Sequence, residues 1–265
     1  VRFRWVCTLA VWRSWLFYLL FYAAMIGVGM PKLLLVIALL SLFAAGAHGD
    51  GSVVDKVYHP YVEQLEWELE WRVTHEDENP ITGVERRQLH RLGLGRAVSE
   101  YVFAEVYLIG EQSSQESFGL EAYELELLWQ LSDQGEYLLD YGVLFELEKE
   151  HREDSWEASS ALLLEKEFGR YSATVKLGLT YEWGDDIEDE LETAAALQAR
   201  YRYSPRFEPA LEAYLGEDTR AVGPVVMGRE RLGQMKALRW ELGVVLGVDS
   251  DTADYTVRAV LEYEF

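Results

Sequence analysis

Residues 171–183 read YSATVKLGLTYEW, and this stretch decides the fold class. Every second side chain from Tyr171 to Trp183 is apolar, whereas the intervening positions carry Ser, Thr, Lys, Gly and Glu. Side chains of a β-strand point alternately to the two faces of a sheet, so a period of two predicts a strand instead of a helix. The stretch is also longer than the roughly five or six residues usual for a strand in a soluble protein.

The same alternation recurs from residue 62 to the C terminus and predicts twelve strands. The second and tenth have the weakest pattern, so a ten-stranded sheet is the alternative. The predicted strands cover residues 62–73, 87–95, 101–111, 118–131, 137–148, 156–168, 171–183, 191–203, 207–216, 220–230, 237–248 and 254–265. No linker rich in Gly and Pro interrupts the series, so residues 50–265 are expected to form one domain.

The connections between the predicted strands alternate in length. Short connections cover residues 96–100, 132–136, 169–170, 204–206 and 231–236. Those between them, such as 74–86, 149–155 and 184–190, are mostly longer and acidic. Transmembrane β-barrels combine short turns at the periplasmic end with longer outer loops. An even number of strands then places both ends of the barrel on the periplasmic side.

Two folds fit a series of alternating strands: a soluble β-sandwich, whose apolar face points inward, and a membrane barrel. The barrel is favoured because the strands reach the roughly 9–11 residues that a tilted strand needs to cross a bilayer. Trp, Tyr and Phe also gather near strand ends, as in interfacial girdles, and closure removes unpaired edges from lipid. The predicted fold class is all-β: a single transmembrane antiparallel up-and-down β-barrel of about twelve strands.

Residues 30–49, MPKLLLVIALLSLFAAGAHG, have the layout of a signal peptide that begins at Met30. One Lys precedes an apolar run, and small residues follow it. Cleavage after Ala47 and cleavage after Gly49 both fit this pattern. The sequence therefore predicts an exported chain.

Residues 1–29 begin with Val and place a second apolar block before that signal peptide. We interpret them as an upstream extension created by a misassigned start. The alternative is a membrane anchor over residues 5–28. The chain's one cysteine, Cys7, lies in this extension, so residues 50–265 contain no thiol.

The composition excludes other classes of protein. The chain has 24 Lys+Arg against 46 Asp+Glu, a formal net charge of -22. Nucleic acid is therefore not an expected partner, because binding a duplex requires Lys and Arg to neutralise its phosphates. An aromatic content of 13% also argues against a disordered acidic chain.

The last nine residues, VRAVLEYEF, place apolar side chains at alternate positions and end on an aromatic residue. They resemble the C-terminal assembly signal of bacterial (Gram-negative) outer-membrane β-barrel proteins. The resemblance implies insertion into the cell outer membrane by the barrel-assembly machinery, and contact with outer-membrane lipids and lipopolysaccharide. It does not identify a subfamily. The residues implied in assembly are Val257, Ala259, Leu261, Tyr263 and Phe265.

If the apolar faces contact lipid, the opposite faces line the lumen. The candidate lumen-lining residues are Glu66, Glu68, Glu70, Arg72, Glu124, Glu126, Asp140, Glu146, Lys176, Arg200, Arg202, Arg239, Glu241, Arg258 and Glu262. Because carboxylates outnumber bases, the predicted function is a narrow, cation-preferring channel or binding barrel for small solutes. The alternative is a non-conducting structural barrel plugged by paired charges. Closure of the barrel is expected to bring Arg258 opposite Glu66, Glu68 and Glu70.

The sequence predicts no catalytic centre, dedicated metal site or cofactor. A surface lipid-modifying enzyme is the third hypothesis, and His151 with Ser155 is the only local pair that fits a hydrolase. The acidic stretch at residues 185–190 offers oxygen ligands for Ca²⁺ or Mg²⁺. It lacks the spacing and glycine of a dedicated loop, so we interpret it as a solvated loop bridged loosely by divalent ions at the lipopolysaccharide surface.

Overall fold

The computed structural model describes residues 54–63, 67–77, 86–185, 187, 189–234 and 236–265. The described residues form twelve strands. Their bounds are β1 Trp67–Glu76, β2 Arg87–Ala97, β3 Val102–Ser113, β4 Gly119–Gln130, β5 Asp140–Glu150, β6 Ser155–Phe168, β7 Tyr171–Gly184, β8 Glu190–Tyr201, β9 Glu208–Leu215, β10 Arg220–Gly233, β11 Lys236–Gly247 and β12 Tyr255–Glu264. Among these residues no helix is long and apolar enough to cross a membrane.

The strands form one closed antiparallel barrel. Each strand pairs with the next, and β12 returns to pair with β1. At the junction Trp67 and Phe265 exchange both backbone N–H···O bonds, at 3.1 and 2.9 Å. The predicted all-β, twelve-stranded, up-and-down barrel is confirmed, and the ten-stranded alternative is wrong because β2 and β10 are complete strands.

Most predicted strand bounds differ from the structure by a few residues, and three differences affect the lumen. β1 begins at Trp67 instead of residue 62, because Val62 and Glu63 lie inside the barrel, where the Val62 N–H donates to the Gln130 side chain at 2.8 Å. β1 continues to Glu76, because Thr74 and Glu76 point into the barrel and keep the alternation beyond the predicted end at residue 73. β5 begins only at Asp140, whose carboxylate accepts a hydrogen bond from the Gly135 N–H (2.8 Å) and closes the preceding turn. The turn at residues 131–139 is therefore longer than predicted.

The barrel has two distinct ends. The terminus end carries the first residue of β1, the last residue of β12 and the turns at residues 98–101, 131–139, 169–170, 202–207 and 234–235. The loop end carries the connections at residues 77–86, 114–118, 151–154, 185–189, 216–219 and 248–254. In barrels of this topology the terminus end faces the periplasm.

The two faces of the wall differ in polarity. Outward side chains such as Trp71, Leu92 and Leu125 are each more than 40% exposed. Inward side chains on the same wall, such as Glu70 and Arg72, are at most 1% exposed. An apolar outer face and a polar inner face are the reverse of a soluble sheet, and they are what a lipid-embedded barrel requires.

Residues 54–63, which we call the interior segment, lie inside the lumen before β1 begins. Val54 and Val57 pack against the inward face of β8–β11, and Tyr58 packs against Leu128, Leu144 and Leu163 on the inward face of β4–β6. Gly142 makes room for this segment, because a Cβ there would lie 3.1 Å from the Cβ of Pro60. The barrel is therefore occupied by its own chain.

Candidate functional site

The lumen is the candidate functional site, and the interior segment is tied to its wall by charged groups. The Arg72 guanidinium contacts Asp55 at 2.5 Å and Glu70 at 2.7 Å. The Lys56 ammonium lies 2.7 Å from Glu70 and also contacts Glu262. One lysine thus bridges carboxylates on β1 and β12, across the seam where the barrel closes.

Further along the segment, three side chains reach the opposite wall. The Tyr58 hydroxyl donates to Glu126 at 2.6 Å, and the Tyr61 hydroxyl donates to Asp140 at 2.8 Å. Between them, His59 Nδ1 lies 2.5 Å from a carboxylate oxygen of Glu165. These contacts move progressively toward the terminus end, so the segment runs along the barrel axis.

Glu63 closes the terminus end of this network. Its carboxylate lies 2.9 Å from the Arg229 guanidinium and also contacts Arg239. Both arginines contact Glu264 as well. The segment is therefore bonded to strands around much of the barrel circumference.

Neighbouring charged side chains keep Asp55 and Lys56, the first two charged residues of the segment, ionised. Burial alone would raise the pKa of Asp55, but the positive charges of Arg72, Arg91 and Lys176 together outweigh burial and hold that pKa well below its usual value. Burial alone would lower the pKa of Lys56, but Glu262 and Glu70 outweigh it and raise that pKa. Both groups precede the first strand and stay charged at neutral pH.

Arg258 lies at the centre of a second buried network. Its side chain is fully buried and contacts Glu212 at 2.9 Å, Glu241 and the Tyr214 hydroxyl at 2.6 Å. The expected contact with the row Glu66, Glu68 and Glu70 is wrong for the two described members. Arg258 pairs in register with Thr74, further along β1, and Lys56 supplies the positive charge at Glu70.

The wall of β4–β7 carries a row of carboxylates in register. Glu124 lies directly opposite Glu148, Glu148 opposite Glu157, and Glu157 opposite Glu182. We call these four residues the carboxylate row. Arg91 contacts Glu124 and lies 3.9 Å from Glu148. Positions that face each other across antiparallel strands are only about 4.5–5.5 Å apart at Cα, so the row concentrates negative charge on one side of the lumen.

Among the described residues, the interior segment lies between two cavities of the lumen, both of which Lys56 lines. The loop-end cavity is about 480 Å³ and includes the carboxylate row. Its acidic lining residues number eleven: Asp55, Glu111, Glu121, Glu124, Glu146, Glu148, Glu150, Glu153, Glu157, Glu182 and Glu192. Its basic lining residues number four: Lys56, Arg87, Arg91 and Lys176.

The terminus-end cavity is about 560 Å³ and is closer to charge balance. Its acidic lining residues number seven: Glu63, Glu68, Glu105, Glu126, Glu208, Glu241 and Glu262. Its basic lining residues number five: Lys56, Arg200, Arg202, Arg229 and Arg239. The negative surplus of the lumen therefore lies at the loop end.

The structure places the described lumen candidates on the inward face of the wall. Fourteen of the fifteen are described, and each is buried or half-buried; Glu66 lies outside the described residues. The candidates brought together in pairs include Lys176 with Glu146 at 3.7 Å and Arg258 with Glu241. The five residues of the assembly signal lie on the outward face of β12 and at its end, where the Tyr263 and Phe265 rings stack at 5.4 Å.

The structure does not bring His151 and Ser155 together. The His151 ring packs edge-on against Tyr123 on the outward face, with 5.7 Å between ring centroids. Ser155 is buried and lines the loop-end cavity. The two side chains thus lie on opposite faces of the wall, and the proposed hydrolase pair is wrong.

Within the part of the chain that the structure describes, two groups of carboxylates are close enough to share a cation. Glu68, Glu70 and Glu262 form the first, and Lys56 already contacts two of them. Glu124, Glu126 and Glu146 form the second, where Arg91 and Tyr58 contact two of them. In the acidic stretch at 185–190, Asp189 accepts a hydrogen bond from Tyr181 at 2.8 Å, and Asp186 and Glu188 lie outside the described residues.

Sequence reasoning missed the interior segment. Residues 54–63 read VDKVYHPYVE, with periods of neither two nor 3.6. The sequence suggests no role for residues 54–61, and its prediction that residues 62–63 begin the first strand is wrong. The available signal was compositional: three aromatic or imidazole rings and charges of both signs occur in a short stretch that includes Pro60. Such a stretch suits a buried polar environment better than a solvated linker.

Comparison with known proteins identifies the fold. No protein-family model and no curated protein sequence matches the chain. The crystal structure of an outer-membrane channel from Pseudomonas putida F1 aligns with a TM-score of 0.50 at 12% identity, covering 82% of this chain and 100% of that one. The KdgM porin aligns with a TM-score of 0.46 at 11% identity, covering 75% and 99%.

At such low identity the likeness establishes the fold. The chain has the fold of Gram-negative outer-membrane β-barrel proteins, and the class predicted from its strands and C-terminal segment is confirmed. No subfamily follows from these similarities.

Proposed function

We propose that this barrel is a narrow, cation-preferring channel or binding barrel for small solutes of the outer membrane, constricted by its own interior segment. The carboxylate row is the observation that carries the proposal. Four Glu side chains on adjacent strands face one another inside the barrel, although like charges directly opposite each other destabilise a sheet. Such a row is tolerable where mobile cations can neutralise it.

The loop-end cavity extends this negative charge. Eleven acidic and four basic side chains line it, and a cleft lined by one sign of charge raises the local concentration of the opposite ion. Rings of carboxylates give pores a preference for cations. The solute class that fits is therefore small and positively charged.

The interior segment supports a narrow passage instead of an open pore. It occupies the lumen between the two cavities, and its side chains bond to several strands. Barrels of about 16–18 strands leave an aqueous channel, whereas about eight strands enclose a filled interior. Twelve strands with a segment inside leave room for small solutes only.

A second candidate is a non-conducting structural barrel. The observation that favours it is the density of buried ion pairs around the interior segment, since each fastens the segment in place. In this case the loop-end cavity would be a closed vestibule.

Planar-bilayer recordings of the refolded protein distinguish the two candidates. In a salt gradient, we expect small stable steps and a reversal potential of the sign for cation preference. Glu148→Gln with Glu157→Gln should move the reversal potential toward zero, and Glu100→Gln, in an exposed turn at the terminus end, should not. Anion preference in the unmodified protein contradicts the proposal. Silence from a barrel whose gel mobility shows correct folding supports the structural candidate.

A further inference from the structure

An apolar groove lies on the outward face of the barrel near the terminus end. It has a volume of about 400 Å³, and its lining is almost entirely apolar. Tyr171 and Tyr201 pack together at one side with 4.9 Å between ring centroids, and the small residues Ala173 and Ala199 form part of its surface. Small side chains between larger ones create the depression.

Basic residues border this groove at the membrane boundary. Arg170 occupies the two-residue turn between Phe168 and Tyr171, both of which line the groove, and is exposed. Arg206 lies in the next turn, 76% exposed at its side chain, and its nearest acid is Glu230 at 2.9 Å. Among the described residues, Arg170 has no ion-pair partner.

The turns of the terminus end differ in charge, although exposed basic residues such as Arg96 also lie at strand ends elsewhere on it. The turns at residues 98–101 and 131–139, on another part of the terminus end, carry Glu100, Asp133 and Glu136 instead. A basic edge beside an apolar groove on a lipid-facing surface matches a ligand with an acyl chain and a negative headgroup.

We propose that this groove is a binding site for an anionic phospholipid of the periplasmic leaflet, with an acyl chain along Ala173 and Ala199 and the phosphate at Arg170 and Arg206. Burial of acyl CH₂ groups supplies affinity, and each Lys or Arg near an anionic surface adds roughly a fivefold preference. The terminus end faces the periplasm in barrels of this topology, which favours phospholipid over lipopolysaccharide. The site does not depend on whether the lumen conducts.

Native mass spectrometry of the refolded barrel tests the proposal. The protein is mixed with equal amounts of dimyristoyl phosphatidylglycerol and dimyristoyl phosphatidylcholine in detergent. We expect preferential retention of one phosphatidylglycerol per barrel. Arg170→Glu and, separately, Ala199→Trp should each reduce that retention by roughly tenfold, the first by repelling the phosphate and the second by filling the groove.

Matched controls separate this site from general lipid affinity. Arg96→Glu makes the same charge change on β2, and Ala104→Trp adds the same side chain on the outward face of β3, both outside the groove. Both should retain lipid as the unmodified protein does. Equal retention of the two lipids by the unmodified protein, or undiminished retention by both groove variants, would overturn the proposal. If Arg170→Glu fails to fold, Ala199→Trp still tests the proposal. If Ala199→Trp fails to fold, Arg170→Glu still tests it.

Discussion

The two cavities of the lumen differ in how far their carboxylates are neutralised by basic side chains. At the terminus end, carboxylates such as Glu262 are matched by Lys56, and Glu264 is matched by Arg229 and Arg239. At the loop end, Arg91 contacts Glu124 and lies 3.9 Å from Glu148 of the carboxylate row, in a cavity whose lining acids outnumber its bases. The interior segment does not account for this difference, because it brings one acid and one lysine to each cavity: Asp55 and Lys56 at the loop end, Lys56 and Glu63 at the terminus end. The difference therefore lies in the wall.

This difference indicates which charged side chains stabilise the fold and which can attract solutes. Buried ions that are paired stabilise a protein only through their partners, and loss of one partner exposes the cost of burying the other. Charges that face an aqueous cavity without a full set of partners attract mobile ions instead. The terminus-end half should therefore respond to mutation through stability, and the loop-end half through selectivity.

The largest expected effect comes from Arg258→Leu. This change leaves Glu212 and Glu241 without their shared cation in a fully buried site. We expect a loss of about 3–5 kcal/mol in the free energy of unfolding. By contrast, Glu157→Gln removes one like charge from the carboxylate row and should not destabilise the barrel. Urea unfolding in lipid vesicles measures both, and equal losses would remove the distinction between paired buried charges and the carboxylate row.

Lys56→Met is expected to act on both properties. It leaves Glu70 with Arg72 alone and removes the lysine contact of Glu262, so the free energy of unfolding should fall by about 1–3 kcal/mol. It also removes positive charge from both cavities, so the reversal potential should show stronger cation preference. Lys149→Met, which removes a lysine outside the two cavities, is the control and should change neither quantity appreciably. An unchanged reversal potential for Lys56→Met would show that Lys56 does not influence permeating ions.

Glu63→Gln is expected to have the smallest effect. Its ion pair with Arg229 is partly exposed, 35% and 40% at the two side chains, and both arginines retain Glu264. Partly exposed pairs contribute roughly 0–1 kcal/mol. Urea unfolding should therefore shift only slightly. A loss as large as that of Arg258→Leu would mean that the terminus end of the segment holds the barrel together.

The sequence predicts the barrel well because the alternation of apolar and polar residues along each strand shows which side chains face outward and which face the lumen. Along β7, every residue from Tyr171 to Trp183 carries the polarity of the side on which it lies, and the same rule indicates which charges face the lumen. Contacts across the lumen cannot be predicted from such a local pattern. The partner of Arg258 depends on the tilt and register of the whole barrel, and Glu63 meets Arg229 across 166 residues of sequence.

The interior segment could not be predicted for the same reason. Its conformation is set by partners on the wall, such as Glu70 for Lys56 and Glu126 for Tyr58, and not by any period of its own. Gly142, on the wall, is a second residue whose role cannot be predicted from the sequence. In sequence it is a small inward residue of β5, and only the structure shows that its missing side chain makes room for Pro60.

The central claim is that the interior segment limits passage through the barrel. A variant that carries Asp55→Asn, Lys56→Met and Glu63→Gln tests it, because these changes remove charged contacts between the segment and the wall. Single-channel conductance of the refolded variant is compared with that of the unmodified protein and of Lys149→Met, a lysine outside the two cavities. We predict a several-fold larger conductance for the triple variant alone; the same conductance in all three proteins would contradict the claim.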